Sequence, residues 1–345
     1  MRPSRSAPKR LRDGHRRDTA LVLVEQPRVA LGRLELVADR ARDYARAARA
    51  DNTVRAYRAA WTDFMSWCEV AGCSALPADP VAVSLYLTEQ ADAGLKAATL
   101  QLRLTAIARA HKMAGLDSPT RAEQVSSVWA GIRRKIGTAQ QGKDPALVED
   151  LRVIINSLTP RRGQAWRALD LRDRALLLIG FAGAFRRSEL VAINVEDLEF
   201  TRGGVVILQR RGKTDQEGRG RKVGIPLGHG QTCPVRALRG WLEGAGIQSG
   251  PVFRRVNRHG QVLAQRLSGE GVAIVVKRRA EAVGMDPDRL GGHSLRAGLA
   301  TSAATAGASE RKIQAQTGHK SLEMLRRYIR DGELFIDNAA AVVGL

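Results

Sequence analysis

Toward the C-terminal end of the chain stand His293-Ser294-Leu295-Arg296, then Gly318-His319, then Tyr328, with Arg186-Arg187-Ser188-Glu189-Leu190 upstream. Two arginines, two histidines and a tyrosine form a set that can cut a phosphodiester without a metal. The guanidinium groups neutralise the phosphate, an imidazole moves a proton, and the phenol supplies the nucleophile.

Tyrosine is a reluctant nucleophile. With a reference pKa near 10, about one phenol in a thousand is ionised at pH 7, a handicap of roughly 4 kcal/mol. A site that uses it must take up the proton, for which histidine is suited. Two guanidinium forks can hold the non-bridging oxygens and grip a five-coordinate transition state more tightly than the ground state. The leaving oxygen also needs a proton, which a lysine can donate. Lys213, in the turn Arg211-Gly212-Lys213-Thr214, is placed to do so, with Lys222 and nearby arginines as rivals. His293 and Arg296 stand three apart at an expected helix start, so both project from one face. Gly291-Gly292 just ahead would let the backbone approach a bulky ligand closely.

The elements that must carry these groups follow from hydrophobic spacing. Residues 39–136 read as a helical domain. Within 52–72, Val54, Tyr57, Trp61, Phe64 and Cys68 recur at steps of three and four, as one buried stripe. Asp79-Pro80 is a cap followed by proline at the first helical position, opening a helix to about residue 93. A third helix spans about 97–115 and a fourth 121–136. On the third, Leu100, Leu104, Ile107 and His111 share one face. Gln101, Thr105, Arg109 and Lys112 form a separate polar stripe, suited either to a DNA groove or to plain solvation. Residues 137–145, polar with two glycines and a closing proline, read as a linker. Residues 146–345 read as a second, mostly helical domain, with helices near 146–158 and 171–185. A hairpin of strands 205–208 and 222–226 follows.

Charge points to the partner. Across 345 residues, 56 Lys and Arg stand against 35 Asp and Glu, a net charge of +21. Such a surplus fits a polyanion, whose counterions are released on binding. Residues 1–38 read as a basic, disordered arm that could graze a DNA backbone. The longest apolar run, residues 175–185, is too short to span a bilayer, so no membrane role is expected. Cys68, Cys73 and Cys233 are odd in number and lack zinc-ligand spacing, which fits a reducing cytoplasm. Neither a Gly-x-x-x-x-Gly-Lys-Ser/Thr phosphate loop nor a metal-ligand cluster stands out, so no cofactor is expected.

In this order and spacing the residues resemble the tyrosine recombinases, the integrase family that includes the Xer and Cre-like enzymes. The family pattern is an arginine with Glu or Asp three residues on, a hairpin lysine, His-x-x-Arg, Gly-His or Gly-Trp, and a tyrosine about nine residues later. Here these are Arg186 with Glu189, Lys213, His293 with Arg296, Gly318-His319, and Tyr328. The resemblance spans about residues 40–340. It implies a mainly α fold: a helical N-terminal core-DNA-binding domain, and a mixed, mostly helical catalytic domain with a small antiparallel sheet. It implies that Tyr328 forms a 3′-phosphotyrosyl link and releases a 5′ hydroxyl. Four such exchanges would then pass through a Holliday junction. Arg186, Lys213, His293, Arg296 and His319 would serve that step, with Glu189 orienting its neighbours and His319 bonding phosphate rather than acting as principal base. Arg187 replaces a usually apolar residue and is a candidate DNA contact. The implied partners are double-stranded DNA and further copies of the chain, as a tetramer on two sites, with accessory proteins left open. The tail beyond Tyr328, with Leu334, Phe335 and Ile336, could pack on its own domain; the resemblance implies instead that it docks into a neighbouring protomer. A cytoplasmic, nucleoid-associated setting and a mobile element are the expected context. The alternatives are a type IB topoisomerase-like relaxing enzyme and a catalytically silent DNA-binding accessory protein.

Overall fold

The computed structural model describes residues 34–35, 37–38, 40, 44, 51–138, 142–160, 165–210, 212, 220–319 and 321–332. Almost all of the basic arm, Lys213 and the tail beyond residue 332 therefore lie outside the described residues. The chain divides into two compact units, Met1–Thr138 and Ala139–Leu345.

Among the described residues from Asp51 on, the first unit has the helices α1 (Asp51–Ala71), α2 (Pro80–Asp92), α3 (Ala97–Met113) and α4 (Glu123–Ile136). Phe64, Cys68, Val83, Tyr86, Leu87, Leu100, Leu104, Ile107 and Val125 close its core, so the apolar stripes of α1 and α3 meet as their spacing requires. Asp79 caps α2 by accepting from the Val81 N–H at 2.7 Å, with Pro80 at the first turn. The expected fourth helix starts two residues late, because Pro119–Arg121 form a separate 3₁₀ turn. His111 is buried, and its Nε2 accepts from the Ala78 N–H at 2.9 Å. Its Nδ1–H then donates to the Ile107 carbonyl at 2.8 Å, which makes it a satisfied core histidine.

The second unit runs α5 (Val148–Ser157), α6 (Ala168–Ala182), α7 (Arg187–Ala192), β1 (Leu198–Phe200), β2 (Gly204–Gln209), β3 (Arg221–Pro226), α8 (Pro234–Gly244), β4 (Arg254–Val256), β5 (Val262–Arg266), α9 (Gly269–Glu281), α10 (Ser294–Thr305), α11 (Glu310–Thr317) and α12 (Leu322–Gly332). The apolar run that opens at Ala175 is the central helix α6, buried between α8 and α10. The hairpin pairs Val205 with Ile225 and Ile207 with Val223, all four buried or nearly so, and β1 adds a third antiparallel strand. Two features were not foreseen from spacing: β1 and the separate β4–β5 pair. Beneath the core, Asp173 is fully buried and accepts from Arg172, Arg278 and Arg279 at 2.5–2.7 Å. This clamps α6 to α9, and removing Asp173 would take the carboxylate from the buried Arg172, while Arg279 would keep Asp170.

Two local details set the site. The helix expected to continue to residue 185 stops at Ala182, because Ala184 takes a left-handed conformation at φ 47°. That turn aims the Ala184 carbonyl at α10. Residues 143–148 form a strap along the segment leading into α10. Asp144 N–H donates to Arg289 O at 2.8 Å, Ala146 N–H to Ser294 O at 3.0 Å, and Val148 N–H to Ser302 Oγ at 3.1 Å. A Cβ on Gly298 would lie 1.8 Å from the Ala146 carbonyl oxygen. Gly298→Ala is therefore expected to destabilise the protein by roughly 1–3 kcal/mol. Urea titration checks this; an unchanged midpoint would refute the close approach.

Candidate active site

Arg186 is the residue from which α7 springs. Its backbone N–H donates to Glu189 Oε2 at 2.9 Å and its Nη1 to Glu189 Oε1 at 2.6 Å. The buried Glu189 carboxylate thus closes the helix start and fixes the guanidinium.

Arg296 extends from α10 and is fully buried. Its Nη1 donates to the Ala184 carbonyl at 2.6 Å, while Nε and Nη2 are buried without a hydrogen-bond partner among the described residues. Burial, then the charge of Arg186, brings its pKa down to about 10, with Glu189 opposing the shift. The group stays cationic at pH 7. Buried guanidinium N–H groups are normally bonded, so this one is poised for an anion.

His293 precedes α10, and its Nε2 lies 2.8 Å from the Tyr328 hydroxyl. Tyr328 sits on α12, anchored by its buried neighbours Leu325 and Ile329 against Ala300, Ala304 and Ile313. Its ring lies between two imidazoles, with centroids 6.2 Å from His293 and 6.1 Å from His319. Gly318, left-handed at φ 65°, turns the chain after α11 so that His319 points back into the site. His319 is buried, with Nδ1 2.8 Å from Thr317 Oγ1. Burial, then Arg296 and Arg186, push its pKa down to about 3.

The His319 shift has a stability consequence. Between about pH 6.5 and 3 the unfolded chain binds a proton that the folded imidazole refuses. Stability should therefore fall as pH drops through that window, by up to about 1.4 kcal/mol per unit from this group. His319→Gln should flatten that slope relative to the parent in chemical denaturation. Equal slopes would show that the imidazole is not held neutral.

Arg186, Glu189, His293, Arg296, His319 and Tyr328 are thus neighbours. Sequence reasoning missed Arg221. It lies on β3 and donates through Nη1 to the Ala315 and Gln316 carbonyls at 3.2 and 3.0 Å, closing the end of α11. Nε donates to Gln209 at 3.0 Å. Its position two residues before Val223, on the buried face of a short strand, was the available signal. Lys213 lies outside the described residues, but Gly212 sits against Glu189, where a Cβ would be 3.2 Å from Oε1. Lys222 is on β3, exposed. Arg187 is exposed at its head, and its stem lies over Gly292. The close approach expected of Gly291 and Gly292 is thus taken up by the Lys143 and Arg187 side chains, not left open for a ligand.

In the first unit, Gln101, Thr105 and Lys112 are exposed on α3. Arg109 is half-buried, its guanidinium 5.7 Å from the Tyr57 ring centre. Thr105 donates to the Gln101 carbonyl at 2.8 Å. Among the described residues, no group of three or more His, Cys, Asp or Glu could hold a metal ion, and no helix is long and apolar enough to cross a membrane.

Comparison with known proteins gives the chain its family. Residues 149–333 match the phage integrase family, and residues 43–115 match the phage integrase N-terminal SAM-like domain. An integrase/recombinase XerD homolog of Selenomonas ruminantium is 42% identical over 84% of this chain and 85% of its own. The Cre recombinase of Escherichia phage P1 is 26% identical over 77% of this chain and 80% of its own. Among solved structures, the Tn1549 transposon integrase in complex with transposon right-end DNA is similar, with a TM-score of 0.61 and 14% identity over 88% of this chain and 96% of that one. XerH recombinase bound to its difH substrate gives a TM-score of 0.57 and 20% identity over 77% and 73%. At those identities the two structures speak for the fold. The matched family covers more than half of the chain and the Selenomonas relative most of it, and the chain belongs to the phage integrase family, the tyrosine recombinases.

Proposed function

We propose that this chain cleaves and rejoins double-stranded DNA at specific sites through a 3′-phosphotyrosyl intermediate, without metal or ATP. The observation that carries the reading is Arg296: a buried guanidinium with two unpartnered nitrogens, beside Arg186 and a tyrosine already bonded to a histidine. A scissile phosphate, with its anionic non-bridging oxygens, suits these donors. Arg186 and Arg296 bind its non-bridging oxygens and neutralise the charge that grows in the transition state. Tyr328 attacks phosphorus while its proton passes to Nε2 of His293. The bond to the 5′ oxygen breaks, and Lys213 supplies that oxygen with a proton. His319, uncharged, adds a hydrogen bond to phosphate. One phosphodiester replaces another of similar energy, so no external energy source is needed.

The +21 charge supports binding along the DNA backbone, with Gln101, Thr105, Arg109, Lys112 and Arg187 as contacts. On this reading residues 39–136 grip DNA, residues 137–145 link, and residues 146–345 perform the chemistry. Four copies act on two sites at the nucleoid, serving integration or excision of a mobile element. The test is to mix protein with sheared DNA from its source in EDTA, stop with SDS, and sequence what stays attached. Covalently held DNA at a discrete sequence is the expected result; salt-sensitive binding with no adduct would refute the reading.

A further inference from the structure

α11 is short and ends immediately before the Gly318-His319 turn. The last carbonyls of a helix have no partner within it, so each needs one from elsewhere. The Gly318 N–H donates to the Gln314 carbonyl at 2.7 Å. The Ala315 and Gln316 carbonyls are both taken by one nitrogen from another element: Nη1 of Arg221, on β3, at 3.2 and 3.0 Å. The exchange is mutual. Gln316 Nε2 donates to the Gly224 carbonyl of β3 at 3.2 Å and to the Ala182 carbonyl, at the end of α6, at 2.6 Å. β3 and the end of α11 thus hold each other through two side chains that run in opposite directions.

What hangs on this joint is His319. Gly318 leads from it directly into the buried imidazole, whose ring stacks on Tyr328 with centroids 6.1 Å apart and 29° between the planes. Arg221 also fills the space beside the turn: a Cβ on Gly318 would lie 2.9 Å from its guanidinium. Its Nε donates at 3.0 Å to Gln209, its partner across the hairpin, so the side chain is itself held. The position is costly for a cation. Burial lowers its pKa from the ordinary arginine value, Glu189 opposes the shift and Arg186 adds to it. A solvated lysine or arginine on the last turn would cap the helix without that desolvation. We propose that Arg221 is a positioning residue: it fixes the end of α11, and with it the His319 ring that sets where the Tyr328 phenol stands for attack. The proposal rests on the strand-transfer reading for the reaction. It does not need the reading for the placement of the ring.

Single-turnover adduct formation by the full chain, at saturating DNA on the site recovered with SDS, tests it. Arg221→Met keeps much of the stem and removes both carbonyl bonds. It should react on the order of 10²-fold more slowly, the cost of misplacing reacting groups by about 1 Å. In a His319→Ala background the same change should cost nothing further, since its effect passes through the missing ring. Because one nitrogen serves both carbonyls, Arg221→Lys should keep the rate within about threefold of the parent; a fork gripping phosphate could not be replaced this way. A parental rate in Arg221→Met, with only the urea midpoint shifted, is what a plain helix cap predicts and overturns the proposal. So does the full loss from Arg221→Met in the His319→Ala background. An Arg221→Lys protein about 10²-fold slower than the parent overturns it too, even if the methionine variant fails to fold. A parent that forms no adduct with any DNA sinks the strand-transfer reading instead. The proton–carbon NMR signal of the His319 ring, assigned by its absence from His319→Ala, then decides the role of Arg221. A ring displaced in Arg221→Met and parental in Arg221→Lys upholds it. A ring unmoved in Arg221→Met, or displaced in Arg221→Lys, overturns it.

Discussion

Tyr328→Phe is expected to bind DNA as the parent does and to leave no covalent adduct, a loss on the order of 10⁴-fold or more. The substitution removes one oxygen, the atom 2.8 Å from His293 Nε2, and keeps the ring that packs between the two imidazoles. Leu325 and Ile329, which anchor α12, are untouched. Global stability should therefore change by no more than about 1 kcal/mol, the net worth of one hydrogen bond. Filter binding and SDS-resistant adducts, measured side by side, separate the two properties. Adducts from the phenylalanine protein at the parental level would remove Tyr328 as the nucleophile.

Arg296→Met should move stability and activity in opposite directions. Methionine keeps much of the unbranched stem and removes a buried cation that has two unbonded nitrogens and Arg186 for a neighbour. The lost bond to the Ala184 carbonyl works against this gain. The balance favours the variant by roughly 1–3 kcal/mol, since relieving a buried, incompletely paired charge outweighs one neutral acceptor. The cleavage rate should fall about 10³-fold, as when one preorganised donor to a developing charge is removed. Denaturant midpoints and single-turnover cleavage give both numbers. A destabilised variant would mean that Arg296 holds the fold together and is not held ready for a ligand.

Periodicity reached the helices because each has one apolar face and one core to meet. The stripe of α1, the Asp79-Pro80 cap and the strands around the 205–226 hairpin were all legible for that reason. Arg186, His293, Arg296, His319 and Tyr328 were legible as an ordered set of types. Their mutual distances were not, because they depend on how α7, α10, α11 and α12 pack. Arg221 was hidden among the seven arginines and lysines from Arg202 to Lys222, and only a strand register separates it from its neighbours. The end of α6 was misplaced for another reason. Alanine favours helix, and nothing local announces that Ala184 adopts φ 47°, a strain tolerated where its carbonyl meets a buried guanidinium.

The strap formed by residues 143–148 also has a mechanical meaning. The chain that tethers the first unit does not enter the second at an idle corner. It enters bonded to Arg289, Ser294 and Ser302, with Ala146 wedged against Gly298, two residues past Arg296. The strap and the short segment bearing His293 and Arg296 thus share one set of hydrogen bonds, so a substitution that breaks these bonds would loosen both together.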